Sequence, residues 1–231
     1  MRTYDVATSF VASIARLGTG MEVAGVGARP EQTLELYEFE SCPFCRKVRE
    51  ALSILDLDAM IYPCPQNGPR FRPKVIEMAG KAQFPYFIDR SAGREMYESD
   101  LIVGHLFGRY GDSNIPWALS TPVLTDVSSF LASAVRATGG RRYRPATAPQ
   151  RPLELWSFEA SPYCRLVRER LCELEIPYLL HNVAKGSTKR KAFETRAGKI
   201  MVPFLVDPNT GVEMFESGDI CAYLDRTYAK N

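Results

Sequence analysis

Histidine is nearly missing from this chain: there are two in 231 residues, His105 and His181. With so few, no Ser-His-Asp pattern is available for hydrolysis. A four-coordinate structural zinc site would also lack its second Cys/His pair. Both histidines read as isolated surface or packing residues. Cysteine is sparse as well, six in all, too few at this length for a disulfide-stapled secreted domain. A reducing compartment follows, most simply the cytoplasm, with an organelle or plastid left open. Charge of one sign is not in excess. The 29 basic and 27 acidic residues leave a net +2, which gives no electrostatic footprint for a nucleic-acid partner. No apolar run approaches the ~20 residues of a membrane-spanning helix, so no membrane partner is expected. The opening segment MRTYDVATSFVASIARLGTG is amphipathic and has no secretory h-region or cleavage pattern. Asp5 and the few arginines in that segment argue against a transit peptide.

What the chain does have is repetition. The stretch LELYEFESCPFCRKVREAL (34–52) returns as LELWSFEASPYCRLVRERL (153–171), an offset of 119. FPYFIDRSAGREMYESDLI (84–102) returns as VPFLVDPNTGVEMFESGDI (202–220), an offset of 118. Upstream, SFVASIARLGTG (9–20) resembles SFLASAVRATGG (129–140). An internal repeat of this size is one supersecondary unit used twice. The units run roughly over 6–110 and 125–228, which gives domains at 1–118 and 119–231. GDSNIPWALSTP (111–122) reads as a linker, and the Pro-rich RPATAPQRP (144–152) as a second tether.

Within each unit the apolar period alternates between strand and helix. Residues 34–39 read as a strand, and Val48, Leu52 and Leu55 fall at helical spacing after the cysteine motif, through Leu57. A second strand at 59–62 leads into the turn PCPQNGP and a helix over 72–79. A hairpin pairs 86–89 with 95–97, and a helix over 98–110 closes the unit. The order β-α-β-α-β-β-α defines an α/β layer. A short helix precedes each unit. Its apolar face (Phe10 and Ile14 in one copy, Phe130, Leu131 and Val135 in the other) needs a cover, which packing of the units about a pseudo-twofold axis would supply.

Three elements occur in both copies: CPFC or SPYC at a helix start, an apolar residue before Pro85 or Pro203, and Glu98-Ser99 or Glu216-Ser217 opening the last helix. With this element order, the chain resembles the thioredoxin fold. More closely it resembles glutaredoxins and the N-terminal domain of glutathione S-transferases, arranged in tandem over nearly the whole length. Two features depart from those families. The Lys common just ahead of a glutaredoxin cysteine motif is absent, and no all-helical transferase C-terminal domain is expected after the last repeat.

The resemblance implies glutathione as cosubstrate. Phe84, with a cis Pro85, would pair with its cysteinyl backbone, while Glu98 and Ser99 would hold its γ-glutamyl end. Arg72 and Lys74 are candidates for the glycyl carboxylate, beside Arg70 and Lys81. In the second unit the corresponding site is Ser161, Cys164, Val202, Pro203, Glu216 and Ser217, with Lys185, Lys189, Arg190 and Lys191 near it.

The chemistry of the motif agrees. A thiolate is the reactive form of cysteine. Cys42 at a helix start meets unpaired backbone N–H groups and the positive dipole end, which lower its pKa, and Arg46 and Lys47 are expected to add to the effect. Pro43 suits the first turn because its missing N–H is not needed there. Cys45, three residues on, is the expected resolver of a mixed disulfide at Cys42. Ser161 cannot form a disulfide. It is a good N-cap, and in serine-type transferases a hydroxyl here stabilises the glutathione thiolate. The expected function is a glutathione-linked thiol–disulfide oxidoreductase acting on small or protein disulfides. Its first domain would be catalytic, and its second glutathione-binding or structural. The alternatives are transferase-like binding, a [2Fe–2S] cluster shared by two chains through Cys42 (the less favoured reading), and a scaffold without turnover. Oligomeric state is left open. Cys64, Cys172 and Cys221 read as buried small apolar residues, with Cys64, beside prolines, the most exposed.

Overall fold

The computed structural model describes residues 19–120 and 139–230. The helices expected ahead of each unit, with Phe10, Ile14, Phe130, Leu131 and Val135, lie outside those residues. The first unit comprises β1 (Leu34–Glu38), α1 (Pro43–Ile54), β2 (Ala59–Pro63), α2 (Phe71–Ala79), β3 (Tyr86–Asp89), β4 (Arg94–Met96) and α3 (Ser99–Tyr110). A single turn, α4 (Trp117–Ser120), follows. The second unit repeats the order: β5 (Leu153–Ser157), α5 (Pro162–Glu173), β6 (Tyr178–Asn182), α6 (Arg190–Ala197), β7 (Phe204–Asp207), β8 (Val212–Phe215) and α7 (Ser217–Tyr228). Both units are thioredoxin-like α/β layers, and the expected element order holds with most ends shifted by a residue; α1 stops at Ile54, short of the expected Leu57.

Each helix start has a local reason. Pro43 and Pro162 stand in the first turns of α1 and α5, where no N–H is required. Glu98 and Glu216 precede α3 and α7 at φ 68°, a left-handed conformation uncommon outside glycine and adopted at the same place in both copies. At the other end, Gly80 and Gly198 close α2 and α6 at φ 78°, each N–H returning to a carbonyl of the last turn.

The strands form one eight-stranded sheet in the order β4-β3-β1-β2-β6-β5-β7-β8. β1 runs parallel to β2 and antiparallel to β3, with Leu36 between Ile61 and Phe87. The join between the units is the antiparallel pair β2–β6, registered Ala59↔Leu180, Met60↔Leu179 and Ile61↔Tyr178. The strand order reads the same from both ends, so an approximate twofold axis passes through this seam. In a lone unit β2 would be an open edge with unpaired N–H and C=O groups. Pairing two such edges satisfies both and buries Ala59, Ile61, Tyr178 and Leu180, each large apolar side chain contributing roughly 1.5–3 kcal/mol. A single apolar cluster accordingly runs through both units, from Leu34 and Leu52 to Leu171 and Leu205.

The segments ahead of each core are built into the structure, and with them part of the stretch read as a tether at 144–152. Val23 N–H donates to Lys185 O (2.8 Å) and Lys185 N–H to Met21 O (2.9 Å), so the arm of the first unit lies on the second. The reciprocal arm does the same: Gln66 N–H donates to Arg141 O (2.7 Å) and Tyr143 N–H to Gln66 O (2.9 Å). Each arm then returns home, Gly27 N–H to Tyr110 O and Thr147 N–H to Tyr228 O, both 2.8 Å. In the 111–122 segment, Leu119 is buried in the shared core.

Three local expectations are corrected. Cys64 is fully buried, its thiol directed to Tyr62 O, because the loop after β2 folds under Phe71. His105 is not isolated: its Nε2 lies 2.8 Å from Asp89 Oδ2, which also accepts from Tyr110. His181 sits between Asp58 (3.3 Å) and Glu154 (3.1 Å), the former reached across the seam. No helix among the described residues is long and apolar enough to cross a membrane.

Candidate functional site

The turn between β1 and α1 carries Cys42, whose side chain is buried with 4% of its surface exposed. The turn is closed by Cys42 N–H donating to Phe39 O (3.0 Å). Cys42 is the N-cap of α1, at φ −76° and ψ 122°, and its Sγ accepts from Cys45 N–H at 3.3 Å. Here a sulfur does what an N-cap oxygen usually does. The Cys42 thiol is held below its ordinary value, first by a hydrogen bond from the Cys45 side chain and then by the Cys45 and Phe44 amides. Burial and the charge of Glu38 oppose this. Cys45 is fully buried and pushed well above its ordinary value, by burial and then by Cys42 itself. The geometry therefore separates the pair into one thiol poised to ionise and one kept protonated.

The basic residues after the motif are not what lowers Cys42. Lys47 is buried and paired with Asp100 at the start of α3, which ties the two helix N-termini together. Arg46 is buried as well, and Glu159 of the second unit is the carboxylate acting on it most strongly.

In the first unit, Phe84 and Arg72 pack together, and Glu98 and Ser99 open α3. The Phe84–Pro85 peptide is cis, and the Phe84 ring meets the edge of Phe39 at 6.1 Å. The Arg72 guanidinium lies 4.7 Å from the Phe84 ring centre, while its Nε donates to Pro65 O (2.6 Å) and Cys64 O (3.1 Å). Ser99 is buried in the first turn of α3, and Glu98 before it accepts from Gln83 Nε2. Gln83 was not singled out in the sequence. Its place directly before Phe84-Pro85 was the available signal. The other cations lie elsewhere. Lys74 is exposed over Phe71, Lys81 covers Tyr97, and Arg70 is committed to Glu175 and Leu174 O of the second unit.

The second unit has the same frame without the leading thiol. Ser161 is the N-cap of α5 at φ −70°, and its Oγ accepts from Cys164 N–H at 3.3 Å, matching the Cys42–Cys45 geometry. Cys164 is fully buried. Val202–Pro203 is cis, and Glu216 and the buried Ser217 open α7. Lys185 pairs with Glu22, Lys189 with Asp56 and Asp58, and Arg190 with Val183 O. Of the cations proposed near this site, Lys191 is exposed.

One cluster escaped sequence reasoning. Arg49 and Arg168, equivalent residues of α1 and α5, are buried at the seam between the units. Arg49 pairs with Glu38, with Glu40 (3.3 Å) and with Glu159 (3.0 Å). Arg168 pairs with Glu159 (2.8 Å) and Glu40 (3.0 Å). Burial alone would raise Glu159, but Arg168 and then Arg49 outweigh it and hold the carboxyl at about 2. Burial dominates at Glu38, which is pushed up to about 7 against the pull of Arg49. The only hint was that Glu40, Arg49, Glu159 and Arg168 recur at the 119-residue offset. Among the described residues, no group of three or more His, Cys, Asp or Glu side chains is gathered to hold a metal ion.

Two thioredoxin-like units fused through one sheet, each presenting a cysteine-motif helix start beside a cis-proline strand, define a tandem thioredoxin-fold protein. The family described as Glutathione S-transferase, N-terminal domain matches residues 36–114 and again 155–231, more than half of the chain, and the protein belongs to that family. Among solved structures it is similar to a Bombyx mori glutathione transferase, BmGSTD1, at 28% identity and a TM-score of 0.33. That match covers 36% of this chain and 38% of the transferase. No curated protein matches.

Proposed function

We propose that the protein is a glutathione-linked thiol–disulfide oxidoreductase whose first domain, residues 1–118, carries the chemistry. The observation that carries this reading is the division of labour at α1: Cys42 Sγ takes the Cys45 amide at 3.3 Å and is the thiol of lowered pKa, while Cys45 is buried and kept protonated. Cys42 thiolate attacks a disulfide sulfur, and its partner sulfur leaves as a thiolate that takes a proton from water. The resulting mixed disulfide is resolved by Cys45 or by glutathione, and two glutathiones, oxidised to glutathione disulfide, restore the dithiol.

Glutathione would lie along Phe84-Pro85, with its γ-glutamyl end at Glu98 and Ser99 and its glycyl carboxylate toward Arg72, the cation beside Phe84. Lys74 has no contact that directs it there. Small or protein disulfides are the partners, and a reducing compartment such as the cytoplasm suits the chemistry. The second domain, residues 119–231, binds glutathione without dithiol turnover or serves as scaffold. One observation favours transferase-like binding there: Ser161 Oγ already accepts from Cys164 N–H, so its own O–H can donate to a bound thiolate.

The test is glutathione-dependent reduction of a small mixed disulfide by wild type, Cys42→Ser and Cys45→Ser. Loss of activity in Cys42→Ser supports the reading, and the Cys45→Ser result separates a dithiol cycle from a monothiol one. A wild type without activity refutes it.

A further inference from the structure

The seam between the units has two ends related by the approximate twofold axis, and they are finished differently. At one end stands Glu175, in the turn after α5, with its carboxyl sealed from solvent. It accepts from the Arg70 amide at 3.1 Å and the Phe71 amide at 3.0 Å, so the N-terminus of α2 satisfies it. Gly68 makes the fit possible, since a Cβ there would lie 2.5 Å from Glu175 Oε1.

The other end carries the same elements with two changes. Asp56 stands where Glu175 does, in the same left-handed conformation (φ 54° against 52°), and its side chain is one methylene shorter. Ser187 stands where Gly68 does, and its Oγ takes the Lys189 amide at 3.1 Å. The amide that Arg70 gives to Glu175 is thus spent locally here. A cleft of about 410 Å³ opens instead, within the size range of small-ligand sites. Its walls are Arg29 and Thr33 ahead of β1, Asp56 and Asp58 ahead of β2, and Leu179 and Lys189 of the second unit.

Asp56 is 4% exposed, and its Oδ1 is buried without accepting a hydrogen bond. The two nearby cations give it charge rather than a bond. Lys189 Nζ stands 3.3 Å from Oδ1, but it donates to Asp56 O (3.1 Å) and to Asp58. Arg29 Nη2 stands 3.7 Å from Oδ2, while its Nη1 donates to Leu55 O at 2.7 Å. Both cations are therefore held at the negative end of α1. A buried carboxylate oxygen left without a donor is costly. Glu175 shows the kind of donor that fits at this place, an N–H group.

We propose that this cleft binds the primary ammonium group of a small ligand, its N–H donating to Asp56 Oδ1 as the α2 amides donate to Glu175. Charge agrees with this. Arg29 and Lys189 face three carboxylates, Asp56, Asp58 and Glu31, which leaves the lining one positive charge short of balance. Amino acids with short peptides, and aliphatic diamines, are the two sources of such a group. The site lies at the opposite end of α1 from Cys42 and does not depend on the thiol chemistry.

The test is a heteronuclear NMR titration of the full chain with glycylglycine, putrescine and N-acetylglycylglycine. The ammonium compounds are expected to shift the amides of Leu57, Leu179 and Lys189 saturably below ~10 mM, and the acetylated peptide to leave them in place. The tighter of the two binders identifies the source. Asp56→Asn keeps the left-handed turn, which asparagine tolerates, and should weaken binding at least ~10-fold. Asp56→Glu with Ser187→Gly rebuilds the closed end, and should abolish binding in a folded chain. No saturable shift with either amine, equal shifts with the acetylated peptide, or undiminished binding in Asp56→Asn overturns the site.

Discussion

Arg49 and Glu159 are 110 residues apart in the chain, one in each repeat, and meet as a buried pair at 3.0 Å. The helix that carries Cys42 is thereby bonded to the second unit four residues beyond Cys45. A buried charge that loses its partner is left without compensation, typically at ~3–5 kcal/mol. Glu159→Gln and Arg49→Met are each expected to lower unfolding free energy by about that much, read by urea denaturation. An effect under ~0.5 kcal/mol, the level of an ordinary surface substitution, contradicts the burial of this network.

The β2–β6 pair makes a second expectation. If one sheet runs through both units, the paired amides of β2 and β6 exchange hydrogen only as slowly as those of β1 and β5. Fast exchange in β2 and β6 alone would mean that the units meet loosely and that these strands are open edges.

How much of this was legible in sequence divides along physical lines. The duplication, the element order and the placing of Cys42 at a helix start rest on local patterns: period, proline position and spacing. They stand in the structure with most ends shifted by a residue and α1 ending three residues early, at Ile54. The seam was not legible, because AMIYP and YLLHN alternate like ordinary strands and nothing in them says which edge each will meet. Arg49 and Arg168 were not singled out, since a charge on a helix is normally outside. Their partners come from the other repeat, beyond any local window. Arg70 and Lys189 read as cations available for a ligand for the same reason, yet they are engaged across the seam.

Stability should carry the signature of Glu38. A carboxyl raised from 4.5 to about 7 on folding binds its proton more tightly in the folded state than in the unfolded one. Folding stability from this group is thus complete at acid pH and falls as pH rises through that window, with a slope up to ~1.4 kcal/mol per pH unit. The difference in unfolding free energy between wild type and Glu38→Ser, measured at pH 5 and pH 7.5, should therefore move against the wild type at the higher pH. Glu159, lowered to about 2, acts oppositely and is lost only as pH falls below the ordinary carboxylate range. A difference that is flat between pH 5 and 7.5 contradicts the assignment.

Ser161→Cys gives the second unit the thiol it lacks. The N-cap geometry is already present, so the new thiol is expected to form a mixed disulfide with glutathione. The adduct is read by mass spectrometry after incubation with glutathione disulfide, and no adduct at position 161 would count against that view.

The central claim is that Cys42 is the attacking thiol and Cys45 is not. Its most direct measurement is mass spectrometry of Cys45→Ser and Cys42→Ser after incubation with glutathione disulfide at neutral pH. Cys45→Ser should gain one glutathione at Cys42, and Cys42→Ser should gain none within the motif. No adduct in Cys45→Ser, or an adduct on Cys45 in Cys42→Ser, would contradict the account.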